Sequence, residues 1–229
     1  MAYRLSPSAL NVFKECQRCF WLQKKRSFYR PRGLFPSLPN GIDMVAKKYF
    51  DKHREDGTLP IELKELEGMF RLYPDRKKMD RWRNNRQGIQ CKSSDGHVLF
   101  GAIDDLLVDD EGKFAVFDFK TRGFPAKEDI SHYYQSQMDC YDLMLRKNGM
   151  KSSGTAYILL LHPKIFSDGN IVFASDLMKL DTNPKKAAKI FNEAVSVLEG
   201  DMPKPADDCG YCQYAKALTK MTNRPGPTF

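Results

Sequence analysis

Asp118 and Lys120 stand two residues apart at the end of the run 114–120, FAVFDFK, in which both alternating sets of side chains are apolar. Phe114 and Val116 fall on one side, and Ala115, Phe117 and Phe119 on the other, the pattern of a strand buried on both faces. Asp118 and Lys120 share one of those faces, where ionised groups are costly unless something compensates them. A bound divalent cation is one compensation, and a plain ion pair at a strand end is the other. The preceding apolar run carries Gly101 and Asp104, and Asp109, Asp110, Glu111 and Gly112 between the runs predict an antiparallel hairpin. That hairpin brings Asp104 towards the Asp118 end, so two carboxylates converge beside one lysine. Two aspartates, completed by waters and phosphate oxygens, suit a hard cation such as Mg²⁺. The cation would acidify a water and stabilise charge at phosphorus, with Lys120 orienting that water or neutralising developing charge.

A second set of ligands lies at opposite ends of the chain. Cys16-x-x-Cys19 and Cys209-x-x-Cys212 are two CxxC pairs, able to hold Zn²⁺ or an iron–sulfur cluster, with four unligated thiols as the alternative. Cys91 and Cys140 lack such partners and read as small core residues.

The elements that must position these groups follow from periodicity. Ser6-Pro7 starts a helix that Leu10, Phe13, Phe20 and Trp21 carry through about Lys24. Residues 29–40, rich in Gly and Pro, form a loop or lid, and a second helical pattern covers 41–54. The weakly amphipathic 61–72 and the charged 75–86, which includes Trp82, read as peripheral. Residues 98–108, 114–119 and 155–161 are β-rich runs expected as adjacent strands, with a crossover helix over 130–147 and an edge strand at 171–174. Residues 184–199 form an amphipathic helix with proline in its first turn.

Three motifs in order, G-x-x-D at Gly101/Asp104, D-x-K at Asp118/Lys120 and Q-x-x-x-Y at Gln137/Tyr141, resemble the RecB-like branch of the PD-(D/E)XK nucleases. The resemblance covers residues 101–141. It implies an α/β fold with a central mixed β-sheet flanked by helices, a restriction-endonuclease-like core. It also implies Mg²⁺ or Mn²⁺ at Asp104 and Asp118, and DNA phosphodiester hydrolysis; exonuclease action is the expectation, with endonuclease action left open by the sequence. Gln137 and Tyr141, four apart on one helix face, would contact phosphate or brace the lysine. The family often places a metal-binding His in an early helix after a glycine; here Gly41 is followed by Ile42, Asp43 and Met44, and His53 lies nearly three turns on. Asp43 is a carboxylate substitute, or the ligand is missing. Related nucleases of CRISPR adaptation and of helicase-nuclease repair complexes hold a [4Fe–4S] cluster with one early and three late cysteines. By that resemblance the four cysteines hold such a cluster, with Zn²⁺ the alternative, and join the N- and C-terminal segments.

At 229 residues and 41% hydrophobic content, one domain is expected, with 1–90 a helical N-terminal part, 91–175 the catalytic sheet core and 176–229 the C-terminal helix and cysteine segment. The formal charge of +8 favours a polyanionic partner, DNA. Lys24, Lys25, Arg26, Arg30 and Arg32, interleaved with Phe28 and Tyr29, are candidate DNA contacts, as is Arg122 beyond the catalytic strand. Helicase or other repair or adaptation proteins are candidate partners. A catalytically weak DNA-binding or structural subunit is the competing reading. No run approaches the roughly 18 apolar residues of a membrane span, and residues 1–10 lack a secretory layout, so a cytoplasmic location is expected. In that reducing compartment six cysteines favour ligation or free thiols over disulfides.

Overall fold

The structure, a computed structural model, describes residues 2–31, 33, 37–126 and 130–222, and Arg32 of the basic run lies outside them. The chain divides into two compact units, residues 1–7 with 35–188, and residues 8–34 with 189–229.

The larger unit is built on two sheets. β1 (Arg4–Leu5), β4 (Val98–Gly101) and β3 (Ile89–Lys92) form a three-stranded sheet in that order. β2 (Arg71–Leu72), β5 (Asp105–Val108), β6 (Phe114–Thr121), β7 (Ser152–Ser167) and β8 (Asn170–Asp181) form a five-stranded one. β5 and β6 pair antiparallel across the expected 109–112 turn. β6 and β7 pair parallel, which requires a crossover, and α5 (Ser131–Lys147) supplies it. This is the mixed sheet with flanking helices expected of a restriction-endonuclease-like core.

Alternation along β6 assigns its two faces. Ala115, Phe117 and Phe119 pack with Phe50 of α3 (Ser37–Asp56), with Leu63 and Leu66 of the 3₁₀ segment Ile61–Leu66, and with Leu72 and Leu107. The opposite set, which includes Asp118, belongs to the side on which α5 touches β3, β4, β6 and β7. Asp118 is 1% exposed, as two-sided burial requires.

Several sequence expectations need correction. Residues 98–108 are two strands in different sheets: after Gly101 the chain leaves β4, and Ile103 N–H donates to the Trp82 carbonyl at 3.1 Å before β5 begins. The cause is close packing. A Cβ on Gly101 would meet the Tyr141 ring at 2.7 Å, and one on Gly88 would meet the Gly101 carbonyl at 2.2 Å. The charged 75–86 stretch is not peripheral, because α4 (Arg76–Arg83) buries Met79 and Trp82 and starts on an Asp75 cap that accepts from Lys78 N–H at 2.9 Å. The 29–40 loop ends earlier than expected, since α3 begins at Ser37. The 1–90 part, expected to be helical, also supplies β1, β2 and the start of β3. β7 and β8 outrun their apolar cores because Asp168 and Gly169 both take left-handed backbone (φ 50° and 77°), closing a two-residue hairpin.

In the smaller unit the expected first helix is broken. α1 (Pro7–Glu15) and α2 (Gln17–Lys25) are separated by Cys16, whose backbone is extended (φ −162°, ψ 108°). α6 (Pro184–Glu199) matches its sequence reading, and α7 (Gly210–Thr222) begins at the second cysteine pair. No helix of the described residues is long and apolar enough to cross a membrane.

Candidate metal-dependent nuclease centre

Asp104, Asp118, Lys120, Gln137 and Tyr141 all lie in the larger unit. Asp118 and Lys120, on one face of β6, form an ion pair. Neither carboxylate oxygen of Asp118 has an aligned hydrogen-bond donor among the described residues, although both oxygens are fully buried. Burial and then the facing Asp104 carboxylate push the Asp118 carboxyl up to about 7, against the opposing pull of Lys120. Burial lowers the Lys120 ammonium, but Asp118 and Asp104 outweigh it and leave the group above its usual range. The aromatic face of Tyr134, on α5, lies 5.5 Å from the Lys120 ammonium.

Asp104 is held by both chain and side chain. Its Oδ2 accepts from Phe119 N–H at 3.3 Å and its carbonyl accepts from Arg83 Nε at 2.6 Å. The G-x-x-D and Q-x-x-x-Y motifs are physically one device. Tyr141 donates its hydroxyl to the Ala102 carbonyl at 2.6 Å, packs where a Gly101 side chain would be, and accepts from Gln137 Nε2 at 2.9 Å. The tyrosine thus anchors the connector that carries Asp104, and burial pushes its phenol above the usual range.

Sequence reasoning missed Lys47. One turn after Asp43 on α3, its ammonium donates to Asp43 Oδ2 and to Asp104 Oδ1, both at 2.7 Å. The Asp43–Lys47 pair is visible as an i,i+4 spacing, but its reach to Asp104 is not. His53 is engaged elsewhere, with Thr58 Oγ1 at 2.7 Å from its Nδ1. Also missed was the ionic layer beneath Asp104. Asp105 is fully buried and accepts from Arg54 Nη2 at 2.6 and 2.5 Å and from Arg83 Nη2 at 2.8 Å.

These observations fit a divalent cation. Two carboxylates converge, one of them fully buried without an aligned hydrogen-bond donor, beside two ammonium groups that balance charge. The PD-(D/E)XK nuclease superfamily profile matches residues 4–217. The chain belongs to the PD-(D/E)XK nuclease superfamily. Members of this superfamily are nucleases and usually use divalent metals. Among solved structures, the chain is similar to SSO0001 at 10% identity and a TM-score of 0.44, covering 94% of this chain and 85% of that one. It is also similar to a protein from Eubacterium rectale that carries the provisional name exonuclease, at 15% identity and a TM-score of 0.45, covering 99% and 90%. No curated protein matches the sequence.

The smaller unit gathers the four cysteines that the sequence singled out. Their Sγ atoms all lie within 4.8 Å of one another, with Cys19 at 3.6 Å from both Cys209 and Cys212, and Cys16 at 3.9 Å from Cys212. Burial raises the Cys16 thiol, but hydrogen bonds from the Ala206 and Cys19 backbone and neighbouring thiols outweigh it and bring it down to about 7. Of the basic run, Lys24, Lys25 and Arg26 belong to this unit, and burial lowers the Lys24 ammonium. Arg30 is paired with Glu15 and set 4.6 Å over the Tyr211 ring. Arg122, in the larger unit, lies 5.5 Å over Phe124.

Proposed function

We propose that this chain is a Mg²⁺- or Mn²⁺-dependent deoxyribonuclease of the RecB-like branch, an exonuclease serving repair, recombination or CRISPR-adaptation-like processing. The observation that carries the reading is the fully buried Asp118 carboxylate, paired with Lys120 but with no aligned hydrogen-bond donor, facing Asp104. Asp104 and Asp118 would hold the cation, which when bound polarises the scissile phosphodiester and acidifies the attacking water. Lys120, 23% exposed at its side chain, reaches solvent from the buried strand and can steer that water or meet charge developing on the phosphoryl group. Gln137 and Tyr141 keep the Asp104 connector in register. Lys24, Lys25, Arg26 and Arg122 are candidate phosphate contacts. Purified protein is expected to release nucleotides from DNA with Mn²⁺ and not after chelation; activity undiminished by chelation would remove the cation from the account.

Lys47 supports a second reading. Its ammonium already neutralises Asp104, so metal affinity would be weak and the chain would hold DNA for a partner with little turnover.

Metal-free protein should show the cost of the Asp118 charge. The folded carboxyl titrates near 7 against about 4 unfolded, so the folded state holds the extra proton. Asp118 therefore stabilises fully below about pH 4, and that contribution is lost as pH rises through about 7. Asp118→Asn is expected to be more stable than the native chain at pH 8 without metal, by about 4 kcal/mol, and similar to it at pH 4. Thermal melts at the two pH values check this, and divalent cation should raise the melting temperature of the native chain alone.

We further propose that the four cysteines hold one structural metal ion. A tetrahedron of Zn–S bonds has sulfur–sulfur edges of about 3.8 Å; three of the edges here are 3.6–3.9 Å and all lie within 4.8 Å. A [4Fe–4S] cluster, the alternative that resemblance supports, binds each thiolate to a different iron and spreads the sulfurs wider. Metal analysis of colourless protein is expected to give about one zinc per chain; brown protein carrying iron and sulfide would reverse the assignment.

A further inference from the structure

The charges of α4 are segregated. Arg76 pairs with Asp51, Glu55 and Asp80, and Arg83 with Asp51 and Asp105, so that side of the helix is neutralised within the protein. Lys77, Lys78 and Arg81 fall on the other side, at i, i+1 and i+4. They line an 850 Å³ pocket, together with Arg86 from the following turn and Lys92 of β3. Among the described residues none of Lys77, Arg81, Arg86 and Lys92 is in an ion pair. The one carboxylate lining the pocket, Asp75, is engaged at the Lys78 N–H. Five cations thus converge on one concave surface against the single carboxylate of Asp75.

The aromatic component argues about the kind of anion. Trp82 lines the pocket but is 7% exposed, with the Lys78 ammonium 4.7 Å over its ring, so no open face remains for a base. The cations come from a helix, a turn and a strand, a spread that suits successive phosphates better than one compact anion. The pocket is also tied to the catalytic connector, since Trp82 accepts from Ile103 N–H and Gly88 packs on Gly101.

We infer that this pocket is a sequence-independent binding site for the phosphodiester backbone of a nucleic-acid strand. It holds strand outside the reacting phosphate and acts through charge alone. The inference rests on the nucleic-acid reading of the fold and not on turnover.

The test uses the full chain carrying Asp118→Asn, in buffer without divalent cation, with a fluorescein-labelled single-stranded oligodeoxynucleotide of about 20 nucleotides followed by anisotropy. Lys77→Gln/Arg81→Gln/Arg86→Gln is expected to weaken binding about tenfold or more and to reduce the slope of log affinity on log salt by about 2. Lys77→Arg, which keeps the charge, should bind as the parent does. Three exposed lysines elsewhere, Lys52→Gln/Lys64→Gln/Lys216→Gln, should leave binding within about twofold. Equal weakening by both triples would reduce the effect to net charge and overturn the site. Unchanged binding by the pocket triple, with parent-like melting, would overturn it as well. Displacement of the oligonucleotide by a mononucleotide at equal phosphate concentration would overturn the strand as ligand. In chains with Asp118 intact, hydrolysis of the small diester thymidine p-nitrophenyl phosphate should be unaffected by the pocket triple. A native chain that cleaves nothing while the pocket triple still loses binding would defeat the nuclease reading and leave this one standing.

Discussion

Arg54→Ala is expected to destabilise the larger unit by about 3–5 kcal/mol, the usual cost of removing one partner from a buried charge network. Arg54 is 6% exposed and gives both hydrogen bonds of one guanidinium nitrogen to the fully buried Asp105. Its other terminal nitrogen donates to the Tyr73 carbonyl. Truncation leaves the buried Asp105 charge with Arg83 and the Leu106 N–H, and takes the guanidinium donor from the part-buried Tyr73 carbonyl. Adding Asp105→Asn should recover part of the loss, because the uncompensated charge goes with it. Urea denaturation of the single and double variants measures both effects. Equal stability of Arg54→Ala and native protein would mean that the network contributes nothing net.

Lys120→Ala is expected to lower the rate of DNA cleavage about 10³-fold, the scale on which a single positioned electrostatic group acts in phosphoryl or acyl transfer. The loss should appear in kcat far more than in KM, since Lys120 meets charge that develops in the transition state rather than binding the strand. Folding should suffer little. Lys120 is an end-of-strand residue with a side chain 23% exposed, and its removal leaves Asp118 protonated near neutral pH rather than stranded as an anion. A loss confined to KM would reassign Lys120 to strand binding.

What could be read in the sequence were groups whose positions follow from local rules. A strand apolar on both faces announces its burial, so ionisable Asp118 and Lys120 on it are conspicuous from sequence alone. The 109–112 turn and the proline-started 184–199 helix are local signals, and the structure contains both. The paired CxxC spacing likewise named four sulfurs that the fold gathers. The unread features depend on tertiary contact. Residues 98–108 look like one strand because a lone Gly101 is the single break in an otherwise apolar, β-rich run; Tyr141, about forty residues later, bonds the Ala102 carbonyl where the chain leaves the sheet. Cys16 breaks its helix without Gly or Pro, and helix propensity gives no warning. Lys47, Arg54 and Arg83 read as surface charge in a basic chain, and only the placement of Asp104 and Asp105 reveals their partners.

The measurement that bears most directly on the nuclease centre is a cleavage assay on end-labelled single- and double-stranded DNA with Mn²⁺, comparing the native chain with Asp118→Ala prepared identically. Shortened products are expected from the native chain and none from the variant. Cleavage by both would place the active centre elsewhere, and DNA binding by both without cleavage would contradict the enzyme and leave a binding protein on a nuclease fold.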